Sequence, residues 1–199
     1  MAVARRLRVG VLAIQGGVVE HLAMLRRLGA EPVEVRLPEH LVGLDGIILP
    51  GGESTTIGKL MVAYGVIEPL AALLRQGLPA YGTCAGMILL AHDLGGARQP
   101  ILDAMDITVQ RNAFGSQLDS FEAELKVSGL GEPLFHAVFI RAPVIERLGP
   151  GVALLAALPD GTPVAARQGH ILVSAFHPEL GGDPRMHALF LAMCDEAAA

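Results

Sequence analysis

The stretch from Arg8 to Ile14 reads as a continuous apolar run of the kind found in a strand buried on both faces. Immediately after a glycine turn, Val18 to Leu28 carries apolar residues at helical spacing, and Gly29 ends the pattern. A buried strand followed at once by an amphipathic helix constrains the chain more than any other feature, because such units close most readily into a parallel sheet covered by helices. The signal recurs. Val33 to Arg36, Gly46 to Leu49 and Leu78 to Tyr81 read as further strands, with helical stretches at Ile57 to Tyr64 and Val66 to Leu74. Beyond Leu94 strand signals run without helical partners, at Ile107 to Arg111, Phe121 to Val127, Phe135 to Arg141, Val152 to Leu158, Val164 to Gln168 and Ile171 to Phe176. These predict antiparallel strands added to the sheet and an accessory ribbon. Asp183 to Ala197 closes the pattern as an amphipathic helix, capped by Asp183 with Pro184 in its first turn. The expected fold class is α/β, a three-layer arrangement around a central, mostly parallel sheet.

At 199 residues and 52% apolar content, one domain spanning residues 1–199 with a sizeable core is expected. Net charge is −5 with both signs interspersed, which offers no basic stripe for nucleic acid. Two cysteines, Cys84 and Cys194, are too few for a disulfide framework and point to a reducing, cytoplasmic setting. Arg5 and Arg6 precede the first apolar run, but that run is short and leads into a glycine turn and Glu20, so it reads as a strand and not as a targeting segment. Nothing approaches the roughly 20 apolar residues of a membrane span.

The chemistry-bearing segment is Leu78 to Leu90, a short strand, then Gly82-Thr83-Cys84-Ala85-Gly86, then a helix. A sharp strand-to-helix turn needs small flanking residues so that backbones can approach and the nucleophile can project. Unpaired amides at the helix start stabilise a Cys84 thiolate, and the Ala85 amide is placed to donate to a developing oxyanion. A base is supplied by Phe176-His177-Pro178-Glu179 at the end of the last strand. His177 and Glu179 are two apart, so in an extended segment both leave on one side, and the carboxylate can fix the imidazole and support its positive charge. Pro50-Gly51-Gly52-Glu53-Ser54 lies between a buried strand and a helix, with Gly51 and Gly52 free to turn an amide toward an oxyanion and Ser54 or Thr55 as candidate N-cap. Gly52 to Lys59 is not a phosphate loop, because the spacing is one residue too long and Leu60 stands where Ser or Thr is required.

PGGES at 50–54, GTCAG at 82–86 and FHPE at 176–179 together resemble the class I, triad-type glutamine amidotransferases, in order and approximate spacing. Within that group AIQGGVVEH at 13–21, PGGESTTIGKL at 50–60, QRNAFGSQLDSFEAEL at 110–125 and FIRAP at 139–143 look like the glutaminase subunits of pyridoxal 5′-phosphate synthase, and the resemblance covers nearly the whole chain. It implies a flavodoxin-like fold and a Cys84–His177–Glu179 triad that hydrolyses L-glutamine through a thioester. It also implies an oxyanion site that includes Gly51 and Gly52, with glutamine contacted at Gly52, Glu53, Ser54, Arg111, Ile140 and Arg141. From the residues alone, Arg111 and Arg141 read equally as carboxylate anchors or as solvated strand-end charges. The resemblance further implies no cofactor or metal in this chain, and a separate synthase subunit that receives the ammonia and without which glutaminase activity is low. Gly17 departs from the family pattern, which more often has alanine there.

Rival readings share parts of this pattern. A DJ-1-type protein usually has histidine directly after the cysteine, where this chain has Ala85, and an esterase-type hydrolase needs its acid between nucleophile and histidine. A glutaminase serving another synthase, such as that making imidazole glycerol phosphate, would share the elbow and His-Pro-Glu but not QRNAFG and FIRAP. Among the other histidines, His21 reads as a core or solvated residue and, less readily, as one approaching the partner. His40, His92, His136, His170 and His187 lack metal-ligand spacing. Cys194 reads as a core residue of the last helix.

Overall fold

The computed structural model describes residues 5–111 and 120–198. In chain order the elements are β1 (Arg8–Leu12), α1 (Val18–Arg27), β2 (Glu31–Val35), β3 (Gly46–Leu49), α2 (Ser54–Ala63), α3 (Ile67–Arg75), β4 (Ala80–Thr83), α4 (Ala85–Leu90), β5 (Ala91–Asp93), β6 (Met105–Gln110), β7 (Ser120–Leu125), β8 (Phe135–Ile140), β9 (Val144–Leu148), β10 (Ala153–Ala157), β11 (Pro163–Gln168), β12 (Ile171–Ser174) and α5 (Arg185–Ala198).

The central sheet has seven strands in the order β10-β11-β12-β4-β3-β1-β2. β2, β1, β3, β4 and β12 run parallel, and β10 and β11 extend the sheet antiparallel from β12. Every residue of β3, β4 and β12 is buried, as their unbroken apolar runs require of strands covered on both sides. Successive strand residues point to opposite faces. On β4 the Tyr81 ring packs on His187 and Phe190 of α5, whereas the space where a Gly82 Cβ would stand is filled by Gly86 and Leu90 of α4. So α4 and α5 cover opposite faces, with α2 packed against α4 and α1 joined to α5, completing the three layers.

The expected accessory ribbon is β7 paired with β8, the two antiparallel from Ser120 opposite Ile140 to Leu125 opposite Phe135. Two short strands went unanticipated, β5 and β9, and with β6 they form a separate three-stranded sheet, so β6 does not join the central one. β9 gave no signal because Glu146 and Arg147 sit side by side in it and break any alternation. β2 begins two residues earlier than expected, at Glu31, with Pro32 inside it; on the outermost strand a proline lacks only an N–H that would have no partner. Of the segment 110–125, residues 112–119 lie outside the described residues. No single helix among the described residues is long and apolar enough to cross a membrane.

Candidate active site

Three strand ends set the site. Leu49 of β3 pairs with Gly82 of β4, and Thr83 of β4 pairs with Ser174 of β12. The chain therefore leaves all three strands side by side at one sheet edge, putting Gly51-Gly52, Cys84 and His177 next to one another.

Cys84 occupies a backbone conformation rare for a residue with a side chain, φ 49° and ψ −106°. It is held there from both sides, its N–H donating to Ser174 O at 2.8 Å and its carbonyl accepting from Met87 N at 3.1 Å. The flanking glycines are required by space. A Cβ on Gly82 would lie 2.6 Å from the backbone carbonyl of Gly86, and one on Gly86 only 1.9 Å from Leu49 O. The turn at Cys84 is thus a place where β3, β4 and α4 touch backbone to backbone. Cys84 is 7% exposed, and its Sγ lies 3.9 Å from Ile140 O.

His177 donates from Nδ1 to Glu179 Oε1 at 2.8 Å, which leaves Nε2 for the thiol. Its backbone N–H donates to Val138 O at 2.8 Å, tying the triad segment to β8. Burial pulls the imidazole pKa down, but hydrogen bonds and charge interactions with Cys84 and Glu179 outweigh that and raise it to about 10. A ring raised in this way favours its protonated form beside the sulfur. The carboxylate behind it is 7% exposed.

Gly51 packs against both partners, since a Cβ there would stand 2.4 Å from His177 Cε1 and 3.4 Å from Cys84 Cβ. Its carbonyl accepts from Gly17 N at 3.3 Å. Across the same planar peptide the N–H of Gly52 points the opposite way, off the Gly16-Gly17 turn. Gly17 in turn stands against Glu179: a Cβ on it would come within 2.9 Å of Glu179 Oε1, a contact that glycine avoids.

The N-cap of α2 is Glu53, not Ser54 or Thr55 as the sequence suggested. Its carboxylate accepts from Thr55 N at 3.1 Å and from Thr56 N and Thr56 Oγ1, each at 2.7 Å. Those bonds, led by the Thr56 hydroxyl, outweigh the opposing effect of burial and hold Glu53 at about 2. A carboxylate reaches where a hydroxyl cannot, because one group satisfies two orphan amides, which frees Ser54 and Thr55 to hydrogen-bond Gln99 Oε1 at 3.2 and 3.1 Å. Arg111 joins this cluster, donating from Nη1 to Thr55 Oγ1 at 2.8 Å and Gln99 Oε1 at 3.0 Å, and from Nη2 to Glu53 at 3.1 Å.

Between these groups lies a cavity of about 360 Å³. Gly52, Glu53, Ser54, Cys84, Ala85, Arg111, Ile140, Arg141 and His177 all line it, while Gly51 and Glu179 stand immediately behind. The walls also include Gln15, Ile88 and Pro143, to which sequence reasoning gave no role. Gln15 accepts from Glu53 N at 3.1 Å, and its place in the AIQGG turn was the available signal. Gln99 gave none, because it sits in an irregular segment between α4 and β6. Cys194 lies apart, against β3, its thiol pushed up to about 12 by burial and then by the nearby charges of Asp45 and Asp195.

A cysteine on a strained elbow, an imidazole beside it and a cavity with both a carboxylate and a guanidinium fit the glutamine amidotransferase class. The chain belongs to the SNO glutamine amidotransferase family, whose model matches residues 11–196. It is similar to pyridoxal 5′-phosphate synthase subunit PdxT of Roseiflexus sp. (strain RS-1), 59% identical over 187 residues, 93% of this chain and 99% of the relative. The subunit PdxT of Herpetosiphon aurantiacus is 57% identical over 188 residues, with the same two coverages. A solved glutamine amidotransferase superposes with a TM-score of 0.89 at 53% identity, covering 94% of this chain and 98% of the other.

Proposed function

We propose that this chain is the glutaminase subunit of a pyridoxal 5′-phosphate synthase, releasing ammonia from L-glutamine with the triad Cys84, His177 and Glu179. The Cys84 thiolate adds to the side-chain carboxamide carbon, and the C=O electrons move onto oxygen. Amides of Gly51, Gly52 and Ala85 are the proposed donors to that oxyanion. His177 gives its Nε2 proton to the amide nitrogen, the C–N bond breaks, and ammonia departs from a thioester. The neutral imidazole then takes a proton from water, hydroxide adds to the thioester, and the C–S bond breaks. Glutamic acid leaves, losing its proton to solvent, and the thiolate–imidazolium pair is restored.

The charged wall suits an amino-acid head group: Arg111 for the α-carboxylate and the ionised Glu53 for the α-ammonium, with Gly52, Ser54, Ile140 and Arg141 completing the enclosure. The single observation carrying the reading is the place of His177, hydrogen-bonded to Glu179 and standing with Cys84 against Gly51 at the wall of this cavity. The relatives' name, a subunit of pyridoxal 5′-phosphate synthase, supports a synthase partner; that this partner takes up the ammonia, in a reducing, cytoplasmic setting, and that residues 1–199 act as one glutaminase domain, are parts of the same proposal. The test is glutamate release from glutamine by the purified chain, alone and with the synthase subunit that co-purifies with it from the native cell. Glutamate appearing in step with ammonia, and rising when that partner is added, is the expected result. A partner from histidine biosynthesis, or no glutamate under either condition, overturns it.

A further inference from the structure

Behind the triad stand two histidines that the reaction above does not use. His21 on α1 and His187 on α5 are both shut off from solvent. Nδ1 of His21 lies 2.8 Å from Nε2 of His187. On its other side, Nε2 of His21 lies 3.3 Å from Thr83 Oγ1 and 3.4 Å from Glu179 Oε2, the triad oxygen that His177 does not hold. That oxygen is buried and has no hydrogen-bond partner among the described residues, with His21 Nε2 close by but hydrogen-bonded to Thr83 Oγ1.

The network assigns the protons. His187 Nδ1 is buried without a partner among the described residues. An orphaned buried N–H is rarer and costlier than an orphaned lone pair, so the His187 proton belongs on Nε2, donated to Nδ1 of His21. His21 must then carry its own proton on Nε2, toward Thr83 Oγ1 and within reach of Glu179 Oε2. Burial first, then His187 and the charge of His177, push the His21 pKa well down, and burial holds His187 at about 4, so both rings are neutral and each has one proton to give. The remaining titratable group packed on the pair is Tyr81, its ring 6.2 Å from His187, with burial keeping its phenol protonated.

We propose that His21 is a positioning residue for the glutaminase reaction: its Nε2–H clamps the far oxygen of Glu179, and His187 fixes the His21 tautomer. The triad is then the outer part of a five-membered chain, Cys84–His177–Glu179–His21–His187, in which each side chain sets the orientation of the next. A glutamate has three side-chain torsions, and one hydrogen bond to His177 leaves the carboxylate free to turn; a second anchor on Oε2 removes that freedom. This inference rests on the triad reading above.

The experiment compares His21→Leu, which cannot donate, with His21→Gln, whose amide can donate near the same point, and with His177→Asn, in glutamate release by the full chain with its co-purified partner. His21→Leu is expected to lower kcat on the order of tenfold or more, leaving the KM for glutamine within about twofold. It should also move the alkaline limb of the kcat profile down by about one pH unit, because the His177 imidazolium loses support. His21→Gln is expected to restore most of kcat and the alkaline limb. Because His21→Leu could fail to fold, ¹⁵N spectra of the histidine rings in the unaltered chain form an independent arm, expected to show His21 neutral and protonated at Nε2. A His21 ring protonated at Nδ1, or wild-type kcat and pH profile in a folded His21→Leu, overturns the relay alone. An unchanged rate in His177→Asn overturns the triad reading beneath it.

Discussion

A thiol becomes an effective nucleophile when something stabilises its anion and something else can deliver a proton to the leaving group, and in the proposed mechanism one imidazole, His177, does both. Cys84→Ala should abolish glutamate release, a loss on the order of 10⁴-fold or more, with the melting transition retained. His177→Asn should be nearly as severe. Glu179→Gln should cost a smaller factor, because the acid orients and supports without moving a proton. Activity should fall as pH rises through about 10, where His177 gives up its proton, and a kcat/KM profile between pH 7 and 11 reads this directly. The sign for stability is the same: a raised histidine stabilises the fold fully below its ordinary value of 6.5 and ceases to do so above about 10. At this scale the candidate site was legible because each half is local, a Gly-x-Cys-x-Gly turn and a His-Pro-Glu extension that the fold brings together. His21 and His187 were not, because one comes from the first helix and the other from the last, and no spacing within a segment links them.

Among the elements, the tightest constraint is where β3, β4 and α4 meet without side chains between them. Gly86→Ala would drive a methyl to within 1.9 Å of Leu49 O. Overpacking of this kind should cost about 1–3 kcal/mol, measured by urea unfolding, and should displace Cys84 with the helix. Helix α2 offers a gentler test. Replacing Glu53 with alanine removes the acceptor for two of its first amides and should lower stability by about 1 kcal/mol at pH 7. A depressed carboxylate stabilises above its ordinary value, here 4.5, and that contribution disappears as pH falls toward about 2, so the two chains should converge in acid. The parallel strands were readable because burial on both faces writes continuous apolar runs. β5 and β9 were not, one being three residues long and the other half-exposed with adjacent charges, so that pairing with β6 and not their own pattern makes them strands.

In the molecule as a whole, protection is expected to be graded. β1, β3, β4 and β12 lie inside the seven-stranded sheet with helices on both sides, whereas Glu122, Glu124 and His136 face outward on the β7–β8 ribbon. Hydrogen exchange followed by mass spectrometry should find these four inner parallel strands slowest and the ribbon several orders faster. The layer arrangement was visible in the alternation of the first half of the sequence. The separate three-stranded sheet was not, because which sheet a strand joins is decided by tertiary packing that no local pattern records.

β12 lies directly against β4 although it is made far later in the chain. While a ribosome is still extending the polypeptide, the sulfur emerges long before the imidazole to which the proposal gives its activation. Under that proposal the chain carries no working nucleophile during its manufacture, and gains one only when the last strand slots into place and closes the gap.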